Sequence, residues 1–160
     1  MKILSVNWKK GFTLIELVVV VALIAVLGGA SLVTADRLQR QHIYNATLMV
    51  QADMRQAQRL AVIEGRRYRV RFDQLNHRYF VYPVGEFTYD PIYLPDHVTI
   101  HDLNLPISQI EYLPRGTLGG NSSHGFTIIL RNRRYQQSLT ITPSSGRVAY
   151  GDITRILGRN

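Results

Sequence analysis

The chain contains no cysteine, which excludes a disulfide, a thiolate nucleophile and a cysteine-ligated metal site. The candidates for a catalytic or metal site are therefore histidine, aspartate and serine. His97 and His101 stand four residues apart, a spacing that places two imidazoles on one face of a strand. Asp96 and Asp102 flank them, although an exposed sheet edge explains this pattern better than a metal does. His124 follows two serines, but neither a nucleophile elbow of the form Gly-x-Ser-x-Gly nor a positioned aspartate accompanies it. The sequence therefore predicts no enzyme, no catalytic residue, no metal site and no cofactor.

Arginine is the other residue type whose placement suggests a chemistry. All three lysines lie within the first ten residues, so lysine contributes nothing to the basic charge of the remaining chain. The planar guanidinium suits bidentate contact with phosphate, and groups of arginines are what a DNA backbone would require. A solvated face, or contacts with other proteins, is the alternative explanation. Two groups stand out: Arg66, Arg67, Arg69 and Arg71, and Arg131, Arg133 and Arg134.

Length and hydropathy bound the architecture that must position these residues. The chain has 160 residues and a formal net charge of +8, which is enough material for one domain and excludes a large multidomain enzyme. Residues 12–33 are almost entirely apolar, with Glu16 as their single ionisable residue. Because about 20 apolar helical residues cross the hydrocarbon core of a bilayer, this segment is predicted to span a membrane. The lysines before it predict that the N-terminus stays in the cytoplasm.

Three interpretations of this N-terminal region compete. The first is a secretory signal peptide cleaved at the small residues Gly28, Gly29 and Ala30. The second is a plain signal anchor, in which Glu16 is tolerated because it lies near the interface and can reach water. Glu16 counts against the signal peptide, since a carboxylate costs free energy to insert and a removable segment does not need one. Neither interpretation explains the order of the residues around Gly11, on which the third depends.

That order carries the most specific signal in the chain. The segment Lys9-Lys10-Gly11-Phe12-Thr13-Leu14-Ile15-Glu16, followed by the apolar residues 17–25, resembles the class III signal of type IV prepilins and type II secretion pseudopilins. The resemblance implies that a prepilin peptidase removes residues 1–11 by cutting between Gly11 and Phe12, and then methylates the new amino terminus at Phe12. Glu16 lies one helical turn further on, where the terminal amine of a neighbouring subunit can neutralise it during assembly.

The same resemblance implies a location and a set of partners. The precursor would be a single-pass protein of the cytoplasmic (inner) membrane, with its C-terminal domain outside the cytoplasm. The mature chain would be built into a type IV pilus or a type II secretion pseudopilus. Its partners would be the prepilin peptidase, an inner-membrane assembly platform and other pilin or pseudopilin subunits.

Helical periodicity continues beyond the apolar segment. Residues 34–64 contain neither glycine nor proline and are predicted to form the amphipathic half of the same helix, which ends near Gly65. Gly28 and Gly29 either let the helix bend or let it pack closely against another helix. The apolar stripe consists of Ile43, Ala46, Thr47, Val50, Met54, Ala57, Leu60 and Ala61. The predicted polar face consists of Arg37, Arg40, Gln41, Gln51, Arg55, Gln58 and Arg59.

Residues 65–160 change to the alternating pattern of strands and are predicted to form an antiparallel β domain. Tyr68, Val70 and Phe72 alternate with arginines, which predicts a half-buried strand. No βαβ alternation occurs, which excludes Rossmann and P-loop architectures. Seven strands are predicted, at 68–72, 78–82, 97–103, 109–113, 126–130, 138–142 and 147–150. The fold class is thus α+β and pilin-like: a long N-terminal helix, transmembrane at 12–33 and amphipathic at 34–64, packed on a small antiparallel β-sheet domain.

The C-terminal segments 110–116, 126–130 and 139–148 are similar to minor pilins of the GspH and FimT type. That resemblance implies a minor subunit whose domain holds two small sheets. Some FimT-type relatives are associated with DNA binding through a Gly-Arg-x-Arg element. Gly146 and Arg147 match its beginning, but Ala149 stands where the second arginine would be. The predicted function is therefore a minor pilin or pseudopilin, and the alternative is a DNA-binding subunit for natural transformation, with Arg147 as a further contact.

Overall fold

The computed structural model describes residues 12–86, 89–105, 108–119 and 125–156. The chain divides into two compact units, Met1–Arg37 and Leu38–Asn160. Within the described residues, one α-helix precedes nine short strands. The elements are α1 Leu14–Ile63, β1 Tyr68–Asp73, β2 Arg78–Pro83, β3 Ile92–Tyr93, β4 Thr99–Asn104, β5 Gln109–Tyr112, β6 Phe126–Arg131, β7 Tyr135–Ile141, β8 Val148–Tyr150 and β9 Thr154–Arg155.

The long helix is present with nearly the predicted bounds. Helix α1 is α-helical from Leu14 to Ile63, and its backbone continues through Gly28 and Gly29. It ends where the sequence predicts, because Gly65 has φ +64°, a left-handed conformation that glycine adopts without steric cost. The amide of Glu64 still donates to the carbonyl of Leu60 at 2.9 Å and completes the last turn.

The predicted apolar stripe of α1 forms one wall of the core. Its fully buried members are Ile43, Ala46, Thr47, Val50, Met54, Ala57 and Ala61, and Leu60 is partly buried. The Thr47 hydroxyl donates to the carbonyl of Ile43 at 2.8 Å, which satisfies a polar atom inside an apolar layer. The stripe packs in a single cluster with apolar residues from the strands.

The prediction that Gln51 lies on the polar face of α1 is wrong. Its side chain is only 5% exposed, and its Nε2 donates to the carbonyl of Val148 at 3.0 Å. Gln58 is also half-buried, and its Nε2 donates to the carbonyls of Gly116 and Ser145 at 2.6 and 2.9 Å. Both glutamines therefore satisfy main-chain oxygens of the β domain.

The first sheet has four antiparallel strands in the order β3-β2-β1-β5. In β1 the predicted alternation is confirmed, because Tyr68, Val70 and Phe72 are buried while Arg69 and Arg71 lie on the other face. A turn at residues 74–77 joins β1 to β2, and His77 takes φ 50° within it.

The second sheet is also antiparallel and has the order β4-β6-β7-β8, with β9 pairing with β7. Ile128 and Leu130 of β6 and Leu139 and Ile141 of β7 are at most 1% exposed, so this sheet supplies much of the core. The α+β class is confirmed: an N-terminal helix packs on antiparallel sheets.

Several strand boundaries differ from the predictions. Strands β3 and β9 were not predicted, since two residues are too few to show a period of two. Strand β7 begins at Tyr135, whereas the sequence predicted a start at residue 138 because Gln136 and Gln137 are polar. Gln137 is nevertheless 2% exposed, and its Nε2 donates to the carbonyl of Gly151. Strand β4 begins at Thr99, so His97 lies in the turn before it.

Among the described residues, no helix combines the length and the apolarity needed to cross a membrane. The predicted span of 12–33 is described only in part, because the side chains at 28–33 lie outside those described. The predicted leader, residues 1–11, lies entirely outside the described residues.

Candidate functional site

Helix α1 begins with a side-chain cap at Thr13. The amide of Glu16 donates to the Thr13 Oγ1 at 3.3 Å and to its carbonyl at 3.1 Å. Thr13 and Glu16 thus stand at the first and fourth positions of a capping box, and a carboxylate in the first turn also favours the positive end of the helix dipole. Glu16 therefore has a role within its own helix that the prepilin-like signal does not indicate. Gly11, the residue before the predicted cleavage point, lies outside the described residues.

The residues that follow the cap leave their apolar side chains exposed. Phe12, the predicted site of methylation, is 79% exposed. The large apolar side chains from Leu14 to Leu27 are between 45% and 81% exposed. Burying a single valine, leucine or isoleucine is worth about 1.5–3 kcal/mol, so a run of this length strongly favours a covering phase or partner. No part of the described chain supplies that cover.

Two members of the first predicted arginine group share one carboxylate. The Arg67 Nη1 lies 3.1 Å from Glu111 Oε1, and the Arg69 Nη2 lies 2.8 Å from Glu111 Oε2. Register explains the pair, because Arg69 in β1 lies opposite Glu111 in β5. Arg71 is exposed and lies opposite Gln109 in the same strand pair, without a carboxylate facing it there.

Arg66 joins a separate polar cluster at the end of α1. Its Nε lies 2.7 Å from Glu64 Oε2, and its Nη1 lies 3.0 Å from Glu86 Oε1. The Tyr68 hydroxyl also donates to Glu64 at 2.7 Å. The hydrogen bond from Tyr68, followed by that from Arg66, lowers the pKa of the Glu64 carboxyl below its usual range. This cluster fixes the junction between α1 and β1.

The second predicted arginine group lies at the connection between β6 and β7. The Asn132 Oδ1 accepts the amides of Arg134 and Tyr135, and its Nδ2 donates to the carbonyl of Gln39 in α1. Arg131 Nη1 lies 3.4 Å from His101 Nε2, and the Arg133 side chain is exposed. The connection is therefore held against the helix while Arg133 points to solvent.

Arg147 lies apart from both groups, next to α1. It lines a cleft of about 490 Å³ together with Ala52, Arg55, Gln58, Arg59, Ser145 and Val148. The structure thus separates the predicted phosphate contacts into three places and adds Arg55 and Arg59 to one of them. The i, i+4 spacing of Arg55 and Arg59 predicts a shared helix face, but only the fold shows that the turn before β8 meets it.

The histidines do not form the arrangement that their spacing suggests. His97 lies in a turn with φ 69°, and the pairing of β4 with β6 shifts register between Ile100 and Asp102, at His101. The two residues therefore do not lie in one regular strand, which the shared face required. In the part of the chain that the structure describes, no group of three or more histidine, aspartate or glutamate side chains could hold a metal ion.

One buried tyrosine links α1 to the first sheet through a hydrogen bond. The Tyr79 hydroxyl donates to Asp53 Oδ2, and the Tyr79 side chain is fully buried. Burial raises the pKa of the Tyr79 hydroxyl well above its usual value, and the neighbouring Asp53 carboxylate adds to the effect. Tyr112 is buried as well, which raises the pKa of its hydroxyl for the same primary reason.

Known proteins are similar to this chain in two respects, an N-terminal motif and the fold. Residues 9–32 match the protein family described as "Prokaryotic N-terminal methylation motif". Among solved structures, the chain is similar to the minor pseudopilin EpsH from the type 2 secretion system of Vibrio cholerae, with a TM-score of 0.53 and 14% sequence identity. The similarity covers 68% of this chain and 95% of that one. No curated protein matches the chain. A methylation motif of prepilin type and a pseudopilin-like fold are therefore both present.

Proposed function

We propose that this chain is a minor pilin or pseudopilin, a structural subunit that is assembled into a type IV pilus or a type II secretion pseudopilus. One observation carries the proposal: the methylation motif stands at the start of a helix whose first apolar side chains have no cover within the described chain. The pseudopilin-like fold that follows supports it. A subunit of this kind acts through assembly rather than catalysis.

The proposed life of the chain begins in the cytoplasmic membrane. Residues 12–33 would anchor the precursor there as a single span, since lipid covers exposed apolar side chains and the lysines keep the leader in the cytoplasm. A prepilin peptidase would cut after Gly11 and methylate Phe12. The assembly platform would then transfer the helix from lipid to the other subunits of the filament.

Glu16 would align each subunit with its neighbour during assembly. Its carboxylate is costly in lipid until a cation pairs with it, and the amine at residue 12 of a neighbouring subunit would supply that cation. The cap at Thr13 gives the same residue a second, local role within its own helix. The two roles can be separated because glutamine retains a side-chain acceptor for the capping box but carries no charge.

The test compares Glu16→Gln, Glu16→Ala and Thr13→Val in cells that assemble the filament. We expect both Glu16 variants to be processed at residue 12 and kept in the membrane, and to be recovered in sheared filaments at least about tenfold less than wild type, which corresponds to about 1.4 kcal/mol. Thr13→Val loses only the cap, about 1 kcal/mol of helix stability, and should still assemble. If Glu16→Gln were recovered in sheared filaments in the same amount as wild type, the proposed role of the Glu16 charge in assembly would be refuted.

The DNA-binding alternative has less support in the structure. Glu111 already pairs with Arg67 and Arg69 and offsets one of their two positive charges. The observation that still favours this alternative is the exposed Arg133 at the β6 to β7 connection. A salt-dependent affinity for DNA that falls in an Arg133→Gln variant would support it.

A further inference from the structure

A basic cleft opens between α1 and the turn that leads into β8. Its volume is about 490 Å³, and Arg55, Arg59 and Arg147 supply three guanidinium groups to its lining. The Arg55 Nη2 lies 3.5 Å from the carbonyl oxygen of Val148, at the outer limit of a hydrogen bond, and the side chains of Arg59 and Arg147 are exposed. None of the lining residues is acidic.

These three arginines differ from others in the same unit. Arg66, Arg67, Arg69 and Arg78 each pair with a carboxylate at 2.7–3.1 Å. The ion pairs formed within the described residues do not include Arg55, Arg59 or Arg147. The cleft therefore gathers positive charge that the described part of the chain leaves uncompensated.

The walls of the cleft are fixed by main-chain contacts. Gln58 holds the carbonyls of Gly116 and Ser145, and Gln51 holds the carbonyl of Val148. Gly146 has φ +64°, and a Cβ there would lie 2.6 Å from the carbonyl oxygen of Gly116, so the turn requires glycine. A cleft built in this way is largely preorganised, which lowers the entropic cost of binding.

We propose that this cleft binds an acidic segment of a partner polypeptide through its carboxylates. The planar fork of a guanidinium can donate two parallel hydrogen bonds to one carboxylate. Ala52 and Val148 add apolar surface that suits the methylene groups of a glutamate or aspartate side chain. Charge complementarity thus defines the occupant.

The observations favour a peptide over a nucleic acid. A DNA backbone needs an extended row of cations, whereas this site is a bounded cleft with its three charges on one helix face and one turn. Arg67 and Arg69, which would lengthen such a row, share the Glu111 carboxylate, which offsets one of their two positive charges. The inference rests on the cleft alone and does not depend on the N-terminal processing proposed above.

The experiment measures binding of fluorescein-labelled hexaglutamate to the full chain in non-ionic detergent micelles, by fluorescence anisotropy at about 0.1 M and about 1 M salt. Hexaglutamine and a single-stranded oligothymidylate of equal charge serve as competing probes. The variants are Arg147→Gln and Arg59→Gln. Arg71→Gln is the matched control, because it removes one positive charge from an exposed position outside the cleft.

We expect hexaglutamate to bind, hexaglutamine not to bind, and each cleft variant to weaken hexaglutamate binding about tenfold or more, while Arg71→Gln changes it less than about twofold. Arg147→Lys should recover only part of the loss, because an ammonium cannot form the bidentate pair. Three results would each overturn the proposal: no binding of hexaglutamate, equal loss in the control variant, or tighter binding of the oligothymidylate that the cleft variants abolish.

Discussion

Ile43 and Ile24 lie in the same helix, yet Ile43 is fully buried and Ile24 is 64% exposed. The same contrast holds along each half: the stripe from Ile43 to Ala61 forms a wall of the core, whereas the apolar residues from Leu14 to Leu27 are exposed. Residues 14–27 are apolar on almost every face, whereas the later half carries a single apolar stripe. The source of the cover differs accordingly: it is the β domain for the later half and, in our proposal, lipid or neighbouring subunits for the earlier one.

The largest expected effect comes from substituting alanine for isoleucine in each half. Ile43→Ala creates a cavity in the core and should lower the free energy of unfolding by about 2–5 kcal/mol. Ile24→Ala removes the same atoms from an exposed position and should change it by less than about 0.5 kcal/mol. Guanidinium unfolding in detergent micelles, followed by the near-UV signal of the tyrosines, gives both values. Equal losses in the two variants would break the comparison.

Alkaline pH should also act on the β-domain half alone. Tyr79 and Tyr112 are buried and have raised pKa values, so their stabilising contribution is complete below the unfolded pKa, about 10, and is lost as the pH rises above it. Because the unfolded chain loses these protons first, each tyrosine should make the free energy of unfolding fall by up to about 1.4 kcal/mol for every pH unit in that range. Residues 12–27 contain no tyrosine and carry no such dependence.

Unfolding titrations from about pH 8 to about pH 11 measure this dependence, with the usual tyrosine pKa as reference. The variant Tyr79→Phe should reduce the slope above pH 10, even though losing the hydrogen bond to Asp53 also lowers the stability at neutral pH. An unchanged slope in Tyr79→Phe would show that the buried hydroxyl does not control the alkaline transition.

Two glycines of equal conformation separate backbone strain from crowding in the β-domain half. Gly65 and Gly146 both have φ +64°, but a Cβ at Gly65 has nothing within 4 Å, whereas one at Gly146 meets Gln58 Nε2 and the Gly116 carbonyl oxygen at 2.6 Å. Gly65→Ala should lower the free energy of unfolding by about 1–2 kcal/mol, the cost of the left-handed backbone. Gly146→Ala should cost about 1–3 kcal/mol more, from overpacking. If thermal unfolding showed similar losses of stability for Gly65→Ala and Gly146→Ala, the predicted steric crowding at Gly146 would be contradicted.

The smallest effect concerns the polar contacts that attach α1 to β8. Gln51→Ala removes the closer of the two donors to the carbonyl of Val148 and leaves the 3.5 Å contact from Arg55, so it should lower the free energy of unfolding by about 0.5–1.5 kcal/mol. Gln41→Ala changes the same side chain at an exposed position of the helix and should have no measurable effect. Denaturant unfolding measures both variants. Equal stabilities of Gln51→Ala and Gln41→Ala would contradict a stabilising role for the hydrogen bond from Gln51 to Val148.

Local patterns in the sequence predict the elements well. The bounds of α1, the apolar stripe, the glycine that ends the helix and the alternation of β1 all depend on near neighbours in the chain. The role of Gln51 does not, because its partner Val148 is 97 residues away. A helical wheel places Gln51 on the polar face because its side chain is an amide. It gives no indication of the main-chain carbonyl in β8 to which that amide donates.

Charge pairing escapes sequence analysis for the same reason. Arg69 and Glu111 are 42 residues apart, and only the register of β1 with β5 places them together. Two of the predicted phosphate contacts are thereby ion pairs, while Arg55 and Arg59, predicted only as part of a polar face, line the cleft with Arg147. The sequence shows which positions carry arginine, but only the tertiary contacts show which arginines pair with a carboxylate.

The most direct test of the central claim is the intact mass and the N-terminal sequence of the chain purified from membranes. Cells with and without a prepilin peptidase are compared, each expressing wild type or Gly11→Ala. We predict a chain that starts at a methylated Phe12 only when the peptidase is present, and an unprocessed chain from Gly11→Ala. A wild-type chain that starts at Met1 in cells containing the peptidase, or near Ser31 in either strain, would contradict the account.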